Sequence, residues 1–207
     1  LLPVCPFSSA KAPAENELMF TLLNTGQQLA VIVQTKNHQA LYLADVKRRK
    51  WRKTQTTVKR ATKALNLAEP LSELNCDSFK RWQWDGWQFK IYPAREGCFL
   101  LLERGKQKIA IVPRKYVVPA KRAEQFTSLV TDSTIFKQKE YPKVNLVLIA
   151  NKKNNLTEKW LTKLEENQVM VYDTAQSGAI QLRINGQGQI RDVLQYAKKH
   201  AFFTVIK

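Results

Sequence analysis

The sequence predicts a mixed α/β (α+β) protein: antiparallel meanders with helices, followed by a parallel strand-helix-strand C-terminal part. Two observations carry this. Short apolar runs bounded by turn residues recur over the first two-thirds, and helical periodicity is confined to stretches between them. The last third alternates a continuous apolar run, a capped helical segment and a second apolar run, the order of a parallel pair with a right-handed crossover.

Residues 1–16, rich in Pro, Ser and Ala, read as an irregular lead-in. "ELMFTLL" suits a short helix or a strand, while "LAVIVQ" and "ALYLADV" suit hairpin strands turned by "TKNH". A helix is expected from about Thr54 to Ala68, because Val58, Ala61, Leu65 and Ala68 share a side and Pro70 stops it. Next comes a meander. Asp85-Gly86 is a hairpin turn signal, and "RGKQ" turns "CFLLLE" into "KIAIVP". A second helix is placed over residues 120–130. "KVNLVLIAN" reads as a buried strand, and Asn155 with Glu158 as a capping box for a helix to Asn167. "VMVYD" and "AIQLRIN" follow as strands. A final helix over residues 189–200 rests on Ile190, Val193, Leu194 and Ala197. This gives a lead-in (1–16), a β-meander/helix nucleic-acid-binding part (17–135) and an α/β part packed on it (140–207).

Charge selects the expected partner. The 207 residues hold 34 Lys plus Arg against 17 Asp plus Glu, a net +17. Nine of those bases and no acid fall in "KRRKWRKTQTTVKRATK", residues 47–63. Phosphate backbones reward such clustering through counterion release. The residues expected to meet them are Lys47, Arg48, Arg49, Lys50, Trp51, Arg52, Lys53, Lys59, Arg60 and Lys63, with a second patch of Arg114, Lys115, Lys121 and Arg122. Trp82, Trp84 and Trp87 suit either a stacking platform for single strands or, more often on a meander, a core. Cys5, Cys76 and Cys98 are odd in number and far apart, which predicts reduced thiols rather than a disulfide framework, and no structural zinc. No apolar run reaches the about 20 residues of a membrane helix. The opening lacks the features of a signal peptide, and the start at Leu1 reads as a fragment or a trimmed chain. A soluble, cytoplasmic, nucleoid-associated protein is expected.

"ALYLADVKRRK" resembles the metal-binding strand of the PD-(D/E)xK superfamily, the restriction-endonuclease and Holliday-junction-resolvase fold. The resemblance implies Asp45 as a metal-holding acid, Lys47 as the catalytic Lys and Glu17 (or Glu15) as the Glu that members carry on a first helix. The preceding strand, "LAVIV", has no acid where the family places its first Asp. Three functions follow as expectations. The first is a nucleic-acid-binding factor, for DNA ahead of RNA, acting in DNA processing or recombination with no cofactor. The second is a magnesium-dependent nuclease using Asp45, Lys47 and Glu17. The third is a protein-interaction module in a larger assembly, with other proteins of a DNA-processing complex as partners and no membrane.

Overall fold

A computed structural model of the chain describes residues 12–25, 28–44, 51–95, 97–114, 116, 126–133, 144–151, 158–196 and 203–205. It is a mixed α+β fold, as expected, and is mostly strand. Strands β1 (Leu18–Leu22), β2 (Leu29–Gln34) and β3 (Gln39–Ala44) lead into helix α1 (Trp51–Ala64). Strands β4 (Lys80–Trp84), β5 (Trp87–Ala94), β6 (Gly97–Arg104), β7 (Gln107–Val112), β8 (Ser128–Asp132) and β9 (Leu146–Ala150) come next. Helix α2 (Glu158–Glu166), β10 (Met170–Asp173), the single turn α3 (Thr174–Ser177), β11 (Ala179–Ile184), β12 (Ile190–Tyr196) and β13 (Phe203–Val205) complete the order.

The strands form two sheets. One is antiparallel throughout, in the order β13-β12-β11-β1-β2-β3; the other, β10-β9-β8-β7-β6-β5-β4, is antiparallel from β4 to β7 and parallel from β7 to β10. Their inner faces share one core, in which Phe20, Val31 and Leu182 of the first sheet pack with Phe89, Leu100 and Leu148 of the second. α1 covers the outer face of the first sheet through Val58 and Ala61, with Leu65 just past its end, against Ile32, Leu41 and Leu43. α2 covers the second sheet through Leu164 against residues such as Val147 and Ile149. The result is four layers, helix, sheet, sheet, helix. A strand in the middle of such a stack is buried on both faces, which is why "LAVIVQ" is apolar without alternation.

Four expectations change. Residues 128–132 form β8 rather than the end of a helix, because the run slots in parallel between β7 and β9; residues 117–125 lie outside the described residues. Ile190–Tyr196 is a strand as well. A tight turn at Asn185–Gly188 returns the chain against β11, and that pairing overrides the 3.6-residue spacing of Ile190, Val193 and Leu194. α1 begins at Trp51 and ends at Ala64, leaving Ala68 beyond it on the surface. Cys76 and Cys98 are joined in a disulfide, 5.2 Å between Cα atoms. Sequence separation hid this, since the segment after α1 lies along β3: Leu41 N–H donates to Ser72 O and Leu74 N–H to Leu41 O. That brings Cys76 over β6. Gly97 of β6 sits close against β3: at φ +123°, a Cβ there would lie 2.9 Å from the Ala44 Cβ.

Candidate functional site

Asp45 and Lys47 to Lys50, the centre of the expected site, lie outside the described residues, as do Lys115, Lys121 and Arg122. Trp51, Arg52, Lys53, Lys59, Arg60 and Lys63 belong to α1, on which Arg52, Lys59, Arg60 and Lys63 are exposed. Arg114 is half-buried just past β7.

Glu17 is described in full, and its surroundings do not suit a metal ligand. It precedes a strand, not a helix, and is 3% exposed. Its carboxylate accepts from Ala14 N–H at 2.8 Å and pairs with Arg191 at 2.5 Å and Arg183 at 3.5 Å. Burial pushes its pKa up, but the Ala14 amide and the two guanidiniums outweigh that and hold it below the usual value. Glu17 ties β1 to β11 and β12. Trp82, Trp84 and Trp87 follow the core reading: Trp87 is buried and donates Nε1–H to Asn16 O, while Trp82 and Trp84 pack on Phe89.

The hairpin turns of the two sheets meet at one end of the stack. In the β4–β5 turn, Asp85 and Gly86 both take positive φ, 44° and 82°, as a tight two-residue turn requires. Asp85 reaches across to the β2–β3 turn. Its Oδ2 accepts from Asn37 N–H at 2.9 Å and lies 3.1 Å from His38 Nδ1, and its Oδ1 accepts from Asn37 Nδ2 at 2.7 Å. Burial raises the Asp85 pKa, but hydrogen bonds from Thr35, Asn37 and His38 prevail and hold it well below the carboxylate range. An ionised carboxylate only accepts, so His38 Nδ1 carries the proton and, in the neutral ring, Nε2 is the acceptor. The imidazole stacks flat on Trp84, centroids 5.1 Å apart and 2° between planes. Arg104 completes the clasp by donating to Asn16 O at 3.1 Å.

Beside this clasp is a cavity of about 600 Å3. The β2–β3 turn supplies Gln34 to Gln39, the segment after α1 supplies Leu65 to Ala68, and Ala12 and Pro13 close it. Gln34 is 5% exposed, and its Oε1 has no hydrogen-bond partner. Gln39 spends an Nε2 donor on Ala68 O at 2.8 Å, and Lys36 pairs loosely with Glu15 at 3.8 Å. No sequence signal pointed here, because "QTKNHQ" reads as an ordinary polar turn; only its proximity to residues 65–68 makes a cavity.

A second polar cluster lies at the opposite end, at the carboxyl ends of β8 to β10, where α/β sheets often bind ligands. Asn151 is fully buried. Its Nδ2 donates to Asp173 Oδ2 at 3.0 Å, and its backbone exchanges hydrogen bonds with the Thr174 hydroxyl at 2.9 and 3.1 Å. Asp173 Oδ1 caps α3 through Ala175 N–H at 2.6 Å. Asn151 Oδ1 has no hydrogen-bond partner. Asp132, at the same end, is paired in register with Ala150 and so points to the inner face, away from Asn151 and Asp173. The cluster is a local clasp rather than a converging set. Among the described residues no group of three or more His, Cys, Asp or Glu is placed to hold a metal ion. Nor is any helix among them long and apolar enough to cross a membrane.

No family model matches the chain, and a search of curated proteins returns no match. Among solved structures, the fold is similar to a mutant of the β-hydroxylase CmlA, with a TM-score of 0.46 and 5% identity over 83% of this chain and 55% of that one, so the chain spans about half of CmlA. It is also similar to the metallo-β-lactamase fold protein YhfI from Bacillus subtilis, with a TM-score of 0.44 and 8% identity over 80% of this chain and 99% of that one. With TM-scores below 0.5, neither likeness assigns a family or an activity. Both nevertheless lie outside the PD-(D/E)xK superfamily. The resemblance to that superfamily is corrected, and with it the nuclease-like reading; the DNA-binding and DNA-recombination function expected from the basic run is corrected separately. The physical reason is visible at Glu17, which is consumed in an ion-paired strand anchor.

Proposed function

We propose that the chain is a ligand-binding domain whose site is the cavity between the β2–β3 turn and the segment after α1, and that it takes a small uncharged polar ligand. The observation that carries this is the cavity itself, about 600 Å3 lined largely by polar residues from Gln34 to Gln39; Gln34 also holds a buried carbonyl oxygen without a partner beside it. Leaving such an acceptor unmade costs about 1–3 kcal/mol, so it calls for an explanation. The volume lies within the range of small-molecule sites. The groove between α1 and β3, about 440 Å3, is the rival location; its buried hydroxyls, Thr54 and Thr62, are already bonded to Gln28 and Glu69.

The test is a ligand-observed NMR screen of small neutral polar fragments on the wild type and on Gln34→Leu. Fragments that bind the wild type and are lost in the variant support the site. A screen whose hits all survive Gln34→Leu, or that yields no hits, removes it.

A further inference from the structure

The stretch from Glu69 to Asp77 has little packing to hold it. Leu71, Leu74 and Cys76 are half-buried, and the other six residues are exposed. Leu71 rests on the cluster beneath α1, Leu74 and Cys76 on the core between the sheets. Among the described residues its main-chain bonds to β3 both fall at Leu41, which donates N–H to Ser72 O at 2.9 Å and accepts from Leu74 N–H at 2.8 Å. β3 is the edge of its sheet, so this stretch lies over an edge that would otherwise offer free main-chain groups.

The Cys76–Cys98 disulfide is the covalent fastening, and its two ends differ. Cys98 is fully buried in β6, in register with Pro93 of β5, and its carbonyl accepts from the Tyr42 hydroxyl of β3. Cys76 is half-buried and lines a cavity of about 330 Å3 between residues 73–77 and Leu43. Disulfide exchange needs a thiolate to reach the sulfur it attacks, and Cys76 is the member of the pair that borders open space. Parting the bond leaves Cys98 fixed in its sheet and Cys76 on the loosely held stretch. Pro70, Leu71 and Glu73 of that stretch also wall the groove between α1 and β3, so its release would open the groove.

We propose that Cys76–Cys98 is a thiol-exchange site, a latch opened by a dithiol, and that its reduction frees residues 71–77 from the β3 edge while both sheets persist. A thiolate of the dithiol attacks Cys76 Sγ, the S–S bond breaks, and its electron pair leaves on Cys98 Sγ, which takes a proton. The second thiol, as thiolate, attacks its partner sulfur in the mixed disulfide, and Cys76 leaves and is protonated. Two electrons and two protons pass to the protein, and the dithiol becomes a disulfide. The latch operates whether or not the cavity beside the β2–β3 turn holds a ligand.

The test is dithiothreitol on the native chain without denaturant, followed by iodoacetamide, peptide mass spectrometry and hydrogen exchange. After reduction, Cys76 should be alkylated about tenfold or more faster than Cys98, because its surroundings are open. Amides of residues 71–77 and of Leu41 should exchange about tenfold or more faster, while those of β8 and β9 stay as they were. Cys76→Ser should show the same exchange pattern without dithiothreitol; should that variant not fold, the reduced wild type still decides. Free thiols at both positions after treatment with oxidised glutathione overturn the proposal, as does a disulfide that yields only in denaturant. Reduction that leaves residues 71–77 protected overturns the latch. Exchange that rises equally in β8 and β9 overturns it too, since the disulfide would then be a staple of the whole fold.

Discussion

The two ends of the stack solve the same problem differently. At the hairpin end, polar groups from distant elements clasp each other. Asp85 reaches 48 residues back to Asn37, and Arg191 reaches Glu17 across 174 positions. At the strand-carboxyl end, Asn151, Asp173 and Thr174 come from neighbouring strands and bond locally. Among the described residues each end holds one buried amide oxygen without a partner, and of the two residues Gln34 lines the cavity of about 600 Å3. A clasp built between turns leaves space beside it, whereas one built between adjacent parallel strands closes on itself. The proposed ligand site is thus at the hairpin end, and the charges there make it the end expected to be acid-sensitive.

Variants should separate the two ends. The largest effect is expected from Glu17→Ala, which removes the carboxylate that Arg183 and Arg191 share: about 3 kcal/mol of stability in urea unfolding, the low end for a broken buried pair because Arg191 is largely exposed. A loss below about 1 kcal/mol would put this pair in the class of screened surface bridges. Asp173→Ala removes both the α3 cap and the Asn151 anchor and should cost about 2 kcal/mol, without altering ligand binding at the other end.

Acid comes next. Asp85 and Glu17 have folded pKa values depressed below their unfolded ones, so their contribution is present above about pH 4–5 and is lost as pH falls through the folded values. The urea midpoint should therefore drop on acidification below about pH 4, and Asp85→Asn should flatten that drop. An unchanged slope in Asp85→Asn would place the acid sensitivity elsewhere. The smallest effect is expected from Gln34→Leu without ligand: between no change and a gain of about 1 kcal/mol, because an unsatisfied buried oxygen is replaced by an apolar group of similar size. A clear loss of stability would mean that Gln34 is a structural hydrogen-bonding residue.

Much of the fold was legible because it is local. The "TKNH", Asp85-Gly86 and "RGKQ" turns, and the apolar runs of β2, β3, β9 and β10, all fall where their residues point. The two misread helices show the limit. "SLVTD" and "IRDVLQY" have patterns that suit either period, and the choice was made by the neighbours β7, β9 and β11. The candidate site was hidden more deeply. Glu17 looks like a candidate ligand in one dimension, and only β11 and β12 reveal it as an anchor. Gln34 and His38 look like turn residues until the segment after α1 and the β4–β5 turn close around them.

What the sequence determined by itself was most of the strands and turns and the excess of positive charge, since backbone preference and hydrophobic spacing act over a few residues. Which strands share a sheet, that Cys76 meets Cys98, and that Gln34 lines a cavity were decided by packing two sheets face to face. Those contacts join residues tens to more than a hundred positions apart. Their energy exists only once the core between the sheets is formed.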